Sequence, residues 1–469
     1  MKKNDKIIIL LAIILAFSVL TWIVAGGGYT DGVFASSGIS RAGIFDMFLL
    51  VCQAFYVRAT DIFYIFTIGG FYGVASRTKA YRKLVSKTSS LIKGKENVAL
   101  LVVTFILGVF TSISSDIYSL LFIMPFIITI FLRRGCDRLT ALSAAFGGLF
   151  IGMFGQTFGT YAYSYLLEST SMTVKDGILF KIIMFVIAYV LYNFFAIMHM
   201  SKHAKSAEYV KFDMFPITKL DESGTSKSLR KKVWPTIVLF CLGLIVVLLA
   251  FINWNTSFNV TVFDTALDKI NNFEVLGIPL FGDLLGNFTS FGNWDILGVS
   301  FILLIMMVIM VIADKMSIGN MCSYFGNGAK KISRVAFIYM LVNALFLGYY
   351  YFTWPITFAN IFLGTKSFNV FGALFGSIIN GAFAVDFEYA SFMIQSLIST
   401  VYVDHLLDAA LTIRFAYSMV NLIAPTSCIL MFALSYLDIS YGKWLKYIWK
   451  FALIMLIAGT LGLLIVSYV

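Results

Sequence analysis

Charge is scarce in this sequence: 13% of its 469 residues are charged, against 60% hydrophobic. That excludes a water-soluble globule, which would have too little polar surface to cover itself. The five cysteines (Cys52, Cys136, Cys241, Cys322 and Cys428) are scattered without C-x-x-C spacing, so neither a disulfide framework nor a zinc site is supported. Walker A, G-x-S-x-G and H-E-x-x-H motifs are absent, as is any dense His/Asp cluster. ATP-driven pumping by this chain and hydrolytic catalysis therefore lose their support, and neither cofactor nor structural metal is expected. The three histidines, His199, His203 and His405, fall at the ends of apolar runs, where titratable surface residues are ordinary. The net charge of +11 could suit nucleic acid, but the basic residues cluster between apolar runs, where they orient a chain in a membrane. No nucleic-acid partner is expected.

What remains is a series of apolar runs of about 16 to 28 residues, suited to spanning helices and too long and unalternating for the strands of a membrane barrel. The reading is an all-α polytopic protein of the cell membrane, with the lipid bilayer as its first partner. MKKNDK ahead of residues 7–25 resembles the start of a signal peptide, but nineteen apolar residues are too many, and the run is read as an uncleaved first span. Residues 77–97 carry seven basic residues against one acidic and 201–232 carry eight against four, so both are assigned to the cytoplasm. Residues 253–295 hold five acidic residues and one base, Lys269, and are assigned outside, as are residues 26–43. These assignments put the N-terminus in the cytoplasm and the C-terminus outside.

Residues 98–132 have basic clusters at both ends, KGKE before and RRGCDR after, so both ends are expected on one side. Each arm of about 16 residues gives roughly 24 Å of helix against a core of about 30 Å, which predicts a re-entrant hairpin with its tip at Thr111–Asp116. The second half repeats the plan. Span 233–252 matches 7–25, and 296–312 matches 59–76. Each second span is followed by an amphipathic stretch read as an interfacial helix, at 81–92 and 318–332. An extra span at 335–352 inverts the remainder of the chain, making 370–403 a hairpin entering from outside with its tip at Ala384–Glu388. Two runs are read as broken helices: 139–165, interrupted by glycines at 147, 148, 152, 155 and 159, and 406–437, interrupted by Asn421-Leu-Ile-Ala-Pro-Thr-Ser427. The domain plan is therefore a first inverted repeat at 1–200, a cytoplasmic linker at 201–232 and a second repeat at 233–469. Such repeats hold substrate and ions near the midplane.

Four groups of residues carry the expected chemistry. Asn421, Thr426 and Ser427 supply amide and hydroxyl ligands, and the break at Pro425 frees carbonyls and N–H groups; a proline kink repaired by neighbouring helices is the alternative. Gly155, Gln156 and Thr157 form the matching break. Ser112, Ser114, Ser115 and Asp116 make the first tip, where Asp116 serves either a ligand or a helix cap. Asp386 and Glu388 hold the second tip, which is otherwise a shallow, wet turn. Arg414, seven residues before Asn421 and on the same helix face, meets either a substrate carboxylate or one of Asp404 and Asp408. Arg58 and Asp61 are read as a structural pair.

The stretches D61-IFYIFTIGGFYGVASRTKA-80, N421-LIAPTS-427 and Y441-GKWLK-446 resemble the YfcC-like members of the four-carbon dicarboxylate anaerobic carrier group of the ion transporter superfamily, with similarity over roughly 44–469. The resemblance implies an elevator-like carrier. In it two hairpins and two broken helices move against a scaffold that often forms a homodimer, and carboxylates, amino acids or small peptides are exchanged or coupled to Na+ or H+. The second tip, A384-VDFEYA-390, departs from the Ser/Gly-rich form usual there. With Asp116, Asp386 and Glu388 at the tips, the expected solute leans to a cationic or zwitterionic amino acid such as arginine or ornithine. Four-carbon dicarboxylates or short peptides are the alternative cargo, and a non-transporting scaffold or channel is the alternative of another class.

Overall fold

The computed structural model describes residues 5–30, 33–114, 116–159, 171–203, 205–217, 234–275, 278–285, 289–363, 368–383 and 403–468. Asp386, Glu388, Ser115 and half of the 201–232 linker lie outside the described residues. Helix α1 (Asp5–Leu20) leads into an antiparallel ribbon of β1 (Gly26–Thr30) and β2 (Val33–Gly38), in which Tyr29 faces Phe34. A purely helical reading missed this ribbon, because its glycine-rich first strand lacks the alternation that marks a strand. Helices α2 (Ile44–Val57) and α3 (Ala59–Ala75) meet at Arg58 with a 68° bend. Arg58 pairs with Asp61 at 3.7 Å, as expected, and also donates to Asn343 at 3.1 Å.

Helix α4 (Lys79–Leu91) buries Tyr81, Leu84 and Val85 along one side, matching the amphipathic stretch expected there. The next segment comprises α5 (Glu96–Ser114), a 3-10 turn (Ser119–Ile123) and α6 (Met124–Arg133), which opens with Pro125 in its first turn, where a missing N–H costs nothing. Its two ends meet: the Glu96 carboxylate accepts from Arg134 at 3.3 Å and pairs with Lys205 at 2.9 Å. Helix α7 (Arg138–Gly155) starts at Asp137, whose carboxylate accepts the Leu139 and Thr140 N–H groups.

Helices α8 (Ile178–Lys202), α9 (Trp234–Phe251) and α10 (Ile296–Asp314) follow, then α11 (Ile318–Tyr351), an unbroken helix of 34 residues. The interfacial helix read at 318–332 and the span read at 335–352 are thus one element, helical through Gly326 and Gly328. Helices α12 (Trp354–Leu363), α13 (Val370–Phe383), α14 (Leu406–Ile423), α15 (Cys428–Tyr436) and α16 (Tyr441–Tyr468) complete the chain. Among the described residues eight elements are long and apolar enough to cross a membrane, taking α14 with α15 as one, and the bent α2–α3 pair makes a ninth.

Helices α7 and α14 are buried on nearly every side, whereas α8 and α16 turn Val190, Phe194, Ile457 and Leu461 outward, as lipid-facing helices do. The glycines of α7 do not break it. A methyl group at Gly152 would come within 2.5 Å of Thr111 Cβ and 2.6 Å of the Gly108 carbonyl, so this small residue lets α5 lie against α7 backbone to backbone. The same device joins α3 to α11, where Gly328 faces the Gly69 carbonyl and the Gly73 Cα. Basic residues gather at one end: Lys6 donates to the Ile439 carbonyl at 2.9 Å, Arg138 to the Asp438 carbonyl at 2.6 Å and Lys331 to the Met214 carbonyl at 3.0 Å, while Arg334 pairs with Asp438 at 3.3 Å.

Candidate substrate and ion site

The first break lies at Gln156, whose left-handed backbone (φ +40°) ends α7. A helix end leaves carbonyls without partners and carries a partial negative charge. Arg414, buried at the middle of α14, supplies the answer to both. Its Nε donates to Gln156 Oε1 at 3.0 Å, and an Nη donates to the carbonyls of Gly155, at 3.3 Å, and Gln156. Of the sequence alternatives for Arg414, neither the Asp404 nor the Asp408 pair forms among the described residues, and Asp408 instead pairs with His405 at 3.2 Å. Thr157 turns back to α5. Its Oγ1 lies 3.1 Å from Ser112 Oγ, and its N–H donates to the same hydroxyl at 3.3 Å. Gly155 leaves room for that contact, since a Cβ there would stand 2.5 Å from Ser112 Oγ. Beside the pair, Thr111 Oγ1 is buried with no hydrogen-bond partner among the described residues.

The second break is answered from α16. Asn421 donates to the Tyr417 carbonyl at 3.2 Å and accepts from Ser427 at 3.1 Å, while Ser427 caps α15 through the Leu430 N–H at 3.3 Å. Pro425 stops α14, and the carbonyls left at its end are taken by the Y441-GKWLK-446 block. Trp444 Nε1 donates to Leu422 at 2.9 Å and Tyr441 Oη donates to Ile423. Those two carbonyls are already engaged, so of the freed backbone groups expected at this break Leu422 and Ile423 are removed from the candidate ligands. Thr426 donates to the Ala382 carbonyl, which ties the break to α13. Replacing Trp444 by Phe keeps the ring bulk but orphans a buried carbonyl, an expected loss of about 1–3 kcal/mol. A lower melting temperature in detergent is the measurement that checks it.

Asp116 takes the capping role. Its carboxylate accepts the N–H groups of Tyr118 at 2.9 Å and Ser119 at 3.0 Å, and its own N–H donates to Ser114 Oγ at 3.1 Å. Tyr64 on α3 holds the same turn through the Ser119 carbonyl at 2.8 Å. The structure therefore brings Ser112, Gly155, Gln156, Thr157 and Arg414 together. It groups Asn421, Pro425, Thr426 and Ser427 separately, seven residues or roughly 10 Å further along α14.

Sequence reasoning missed Lys181, which is 2% exposed near the start of α8 and donates to the Val174 carbonyl at 2.8 Å. Arg414 and Asp176 act on it electrostatically, and Gly177, one turn away, packs on Leu411 of α14. A lone lysine in the apolar run ILFKIIMF was the available signal, since ionisable residues at membrane depth default to function. Ser418, which ties α14 to the Met153 carbonyl at 2.7 Å, was also missed.

Helices that stop inside an apolar bundle, with polar side chains gathered at the stops, are the architecture of a membrane transport protein. The chain belongs to the C4-dicarboxylate anaerobic carrier family, whose profile matches residues 4–347 and 394–468. A search among curated proteins found no match. Among solved structures it is similar to the Alcanivorax borkumensis YdaH transporter, with 12% identity over 99% of this chain and 98% of that one and a TM-score of 0.42. It is also similar to Neisseria gonorrhoeae MtrF, described within a class of antimetabolite efflux pumps, with 13% identity over 98% and 94% and a TM-score of 0.38. Likenesses this distant carry no residue roles.

Proposed function

We propose that this protein is a secondary carrier of small carboxylates, four-carbon dicarboxylates first, coupled to Na+ or H+ or working by exchange. The observation that carries the reading is the buried Arg414 at the end of α7 beside Ser112 and Thr157, with a second buried basic residue, Lys181 of α8, within electrostatic reach of it. A dicarboxylate brings two negative charges to a site of low dielectric, where opposite charges attract most strongly and a guanidinium offers a paired fork of donors. The hydroxyl and amide oxygens of Ser112, Thr157, Asn421 and Ser427 suit a hard cation. Asp116 is committed to its turn, which leaves Asp386 and Glu388 as the acidic groups favouring arginine or ornithine; that amino-acid cargo is the second reading.

The test is counterflow in proteoliposomes loaded with unlabelled succinate, arginine or ornithine. Labelled succinate is expected to accumulate and respond to an imposed Na+ or proton gradient, and Lys181→Gln to reduce it. Counterflow of arginine or ornithine with none of succinate would overturn the carboxylate reading.

The proposal includes the inverted-repeat plan, with 98–132 and 370–403 as hairpins, a linker at 201–232, a cytoplasmic N-terminus and an outer C-terminus. Single cysteines at Lys95 and Arg134 in a cysteine-free background are expected to react with the same membrane-impermeant reagent from the cytoplasmic side. Labelling from opposite sides would reject the first hairpin.

A further inference from the structure

One cavity lies away from both breaks, at the basic end, where α7 and α16 begin and α8 ends. It has a volume of about 410 Å³ and is lined by Arg138 of α7, His199 of α8 and His203 just past its end, Lys443 and Lys446 of α16, and Asp137. Lys443 and Lys446 are three residues apart on one helix face, both exposed, and among the described residues neither pairs with a carboxylate. The His199 and His203 rings lie one turn apart, tilted by 31° with centroids 3.9 Å from each other. Arg138 is held rigid by the Leu437 and Asp438 carbonyls and by the Phe212 ring beneath its guanidinium at 4.0 Å.

The one carboxylate in the wall does not cancel this charge locally. Burial works against ionisation of Asp137, but hydrogen bonds from His199, at 3.0 Å, and from Thr140 outweigh it and hold the carboxyl down at about 2. Its oxygens are spent on His199, Thr140 and the Leu139 N–H, leaving the lysines to set the field at the mouth. The cavity sits where three apolar helices start or end, at headgroup level, and its flanks are lipid-facing: Trp449 on α16 and Phe194 on α8 are exposed. Basic pockets between spanning helices at this level recognise anionic headgroups.

We propose that this cavity binds a phosphate-bearing anion, with Lys443 and Lys446 meeting the phosphate oxygens and Arg138 and His203 lining its inner wall. The neighbouring Trp444 and Tyr441 secure the second break, so the same short block holds the helix ends on one side and offers cations on the other. The proposal is independent of the transported solute.

The experiment uses purified full-length protein in a mild detergent, with melting temperature and native mass spectrometry read against phosphatidylglycerol, phosphatidylcholine and inorganic phosphate. Phosphatidylglycerol is expected to remain bound and raise the melting temperature where phosphatidylcholine does not. The Lys443→Gln/Lys446→Gln double variant is expected to weaken binding about twenty-five-fold, at about fivefold per lysine near the surface. Lys450→Gln, on the same helix but outside the cavity wall, is the control and should bind like the unmodified protein. Protection by inorganic phosphate alone, lost in the double variant, would support the site and identify free phosphate as its ligand. Binding that does not distinguish the anionic from the zwitterionic lipid, or that survives in the double variant, would overturn it.

Discussion

Replacing Arg414 by Ala is expected to bring solute uptake down to about one-hundredth, the effect of truncating one partner of a buried, charge-assisted contact. Two losses arise from one side chain. The carbonyls of Gly155 and Gln156 lose the donor that completes the end of α7, at about 1–3 kcal/mol for each orphaned group. Any substrate carboxylate also loses its fork-shaped counter-charge. Arg414→Lys separates the two effects: an ammonium can still reach one carbonyl and support folding, but it cannot span the carbonyls and Gln156 Oε1 together. The lysine variant is therefore expected to melt near the unmodified protein yet to show a raised KM. Uptake and KM equal to the unmodified protein in both variants, at matched amounts of folded protein, would remove Arg414 from the site.

The largest effect on folding is expected from Gly328→Ala. The added methyl would fall inside the contact distance of the Gly69 carbonyl oxygen and 2.9 Å from Gly73 Cα, and all of these are backbone atoms that cannot swing aside. Helices α3 and α11 would have to separate along their whole crossing, at about 3 kcal/mol or more. The test is the yield of monodisperse protein after detergent extraction and its melting temperature, compared with Gly326→Ala two positions away, where a methyl meets open space. Equal behaviour of the two variants would show that the close crossing is not a determinant of stability.

Charge and proline were legible in the sequence because each acts alone. Basic residues flanking 98–132 announced that its ends belong together, and Glu96 does meet Arg134. Pro425 ended α14 as a residue without an N–H must. Glycine was misread because it has two uses that look alike in one dimension: Gly147, Gly148 and Gly152 signal weak helix until the neighbouring backbone is known, and then signal close packing. The partners of the breaks were hidden for the same reason. Nothing local joins Arg414 to Gln156, or Trp444 to Leu422, and only the folded chain assigns those donors. Lys181 was legible as a charge in an apolar run, yet it has no sequence neighbour to mark it as part of a site, and its cationic companion lies on another helix. Whether Asp116 was a ligand or a cap depended on the direction of two N–H groups, which residue type does not encode.

The length of α11 has a mechanical corollary. Its 34 residues make a rod of roughly 51 Å, and fitting that into a hydrocarbon layer of about 30 Å by tilt alone would need about 54°, beyond the range of about 0–40° that spanning helices adopt. Even at the 40° limit about a quarter of the rod must then project into the headgroup layer and the water beyond it. Such a mast, clamped to α3 through glycines, gives the protein a fixed vertical ruler against which any sliding segment can be measured. Distances from a probe at Gly319, in its uncrowded first turn, would report that sliding directly.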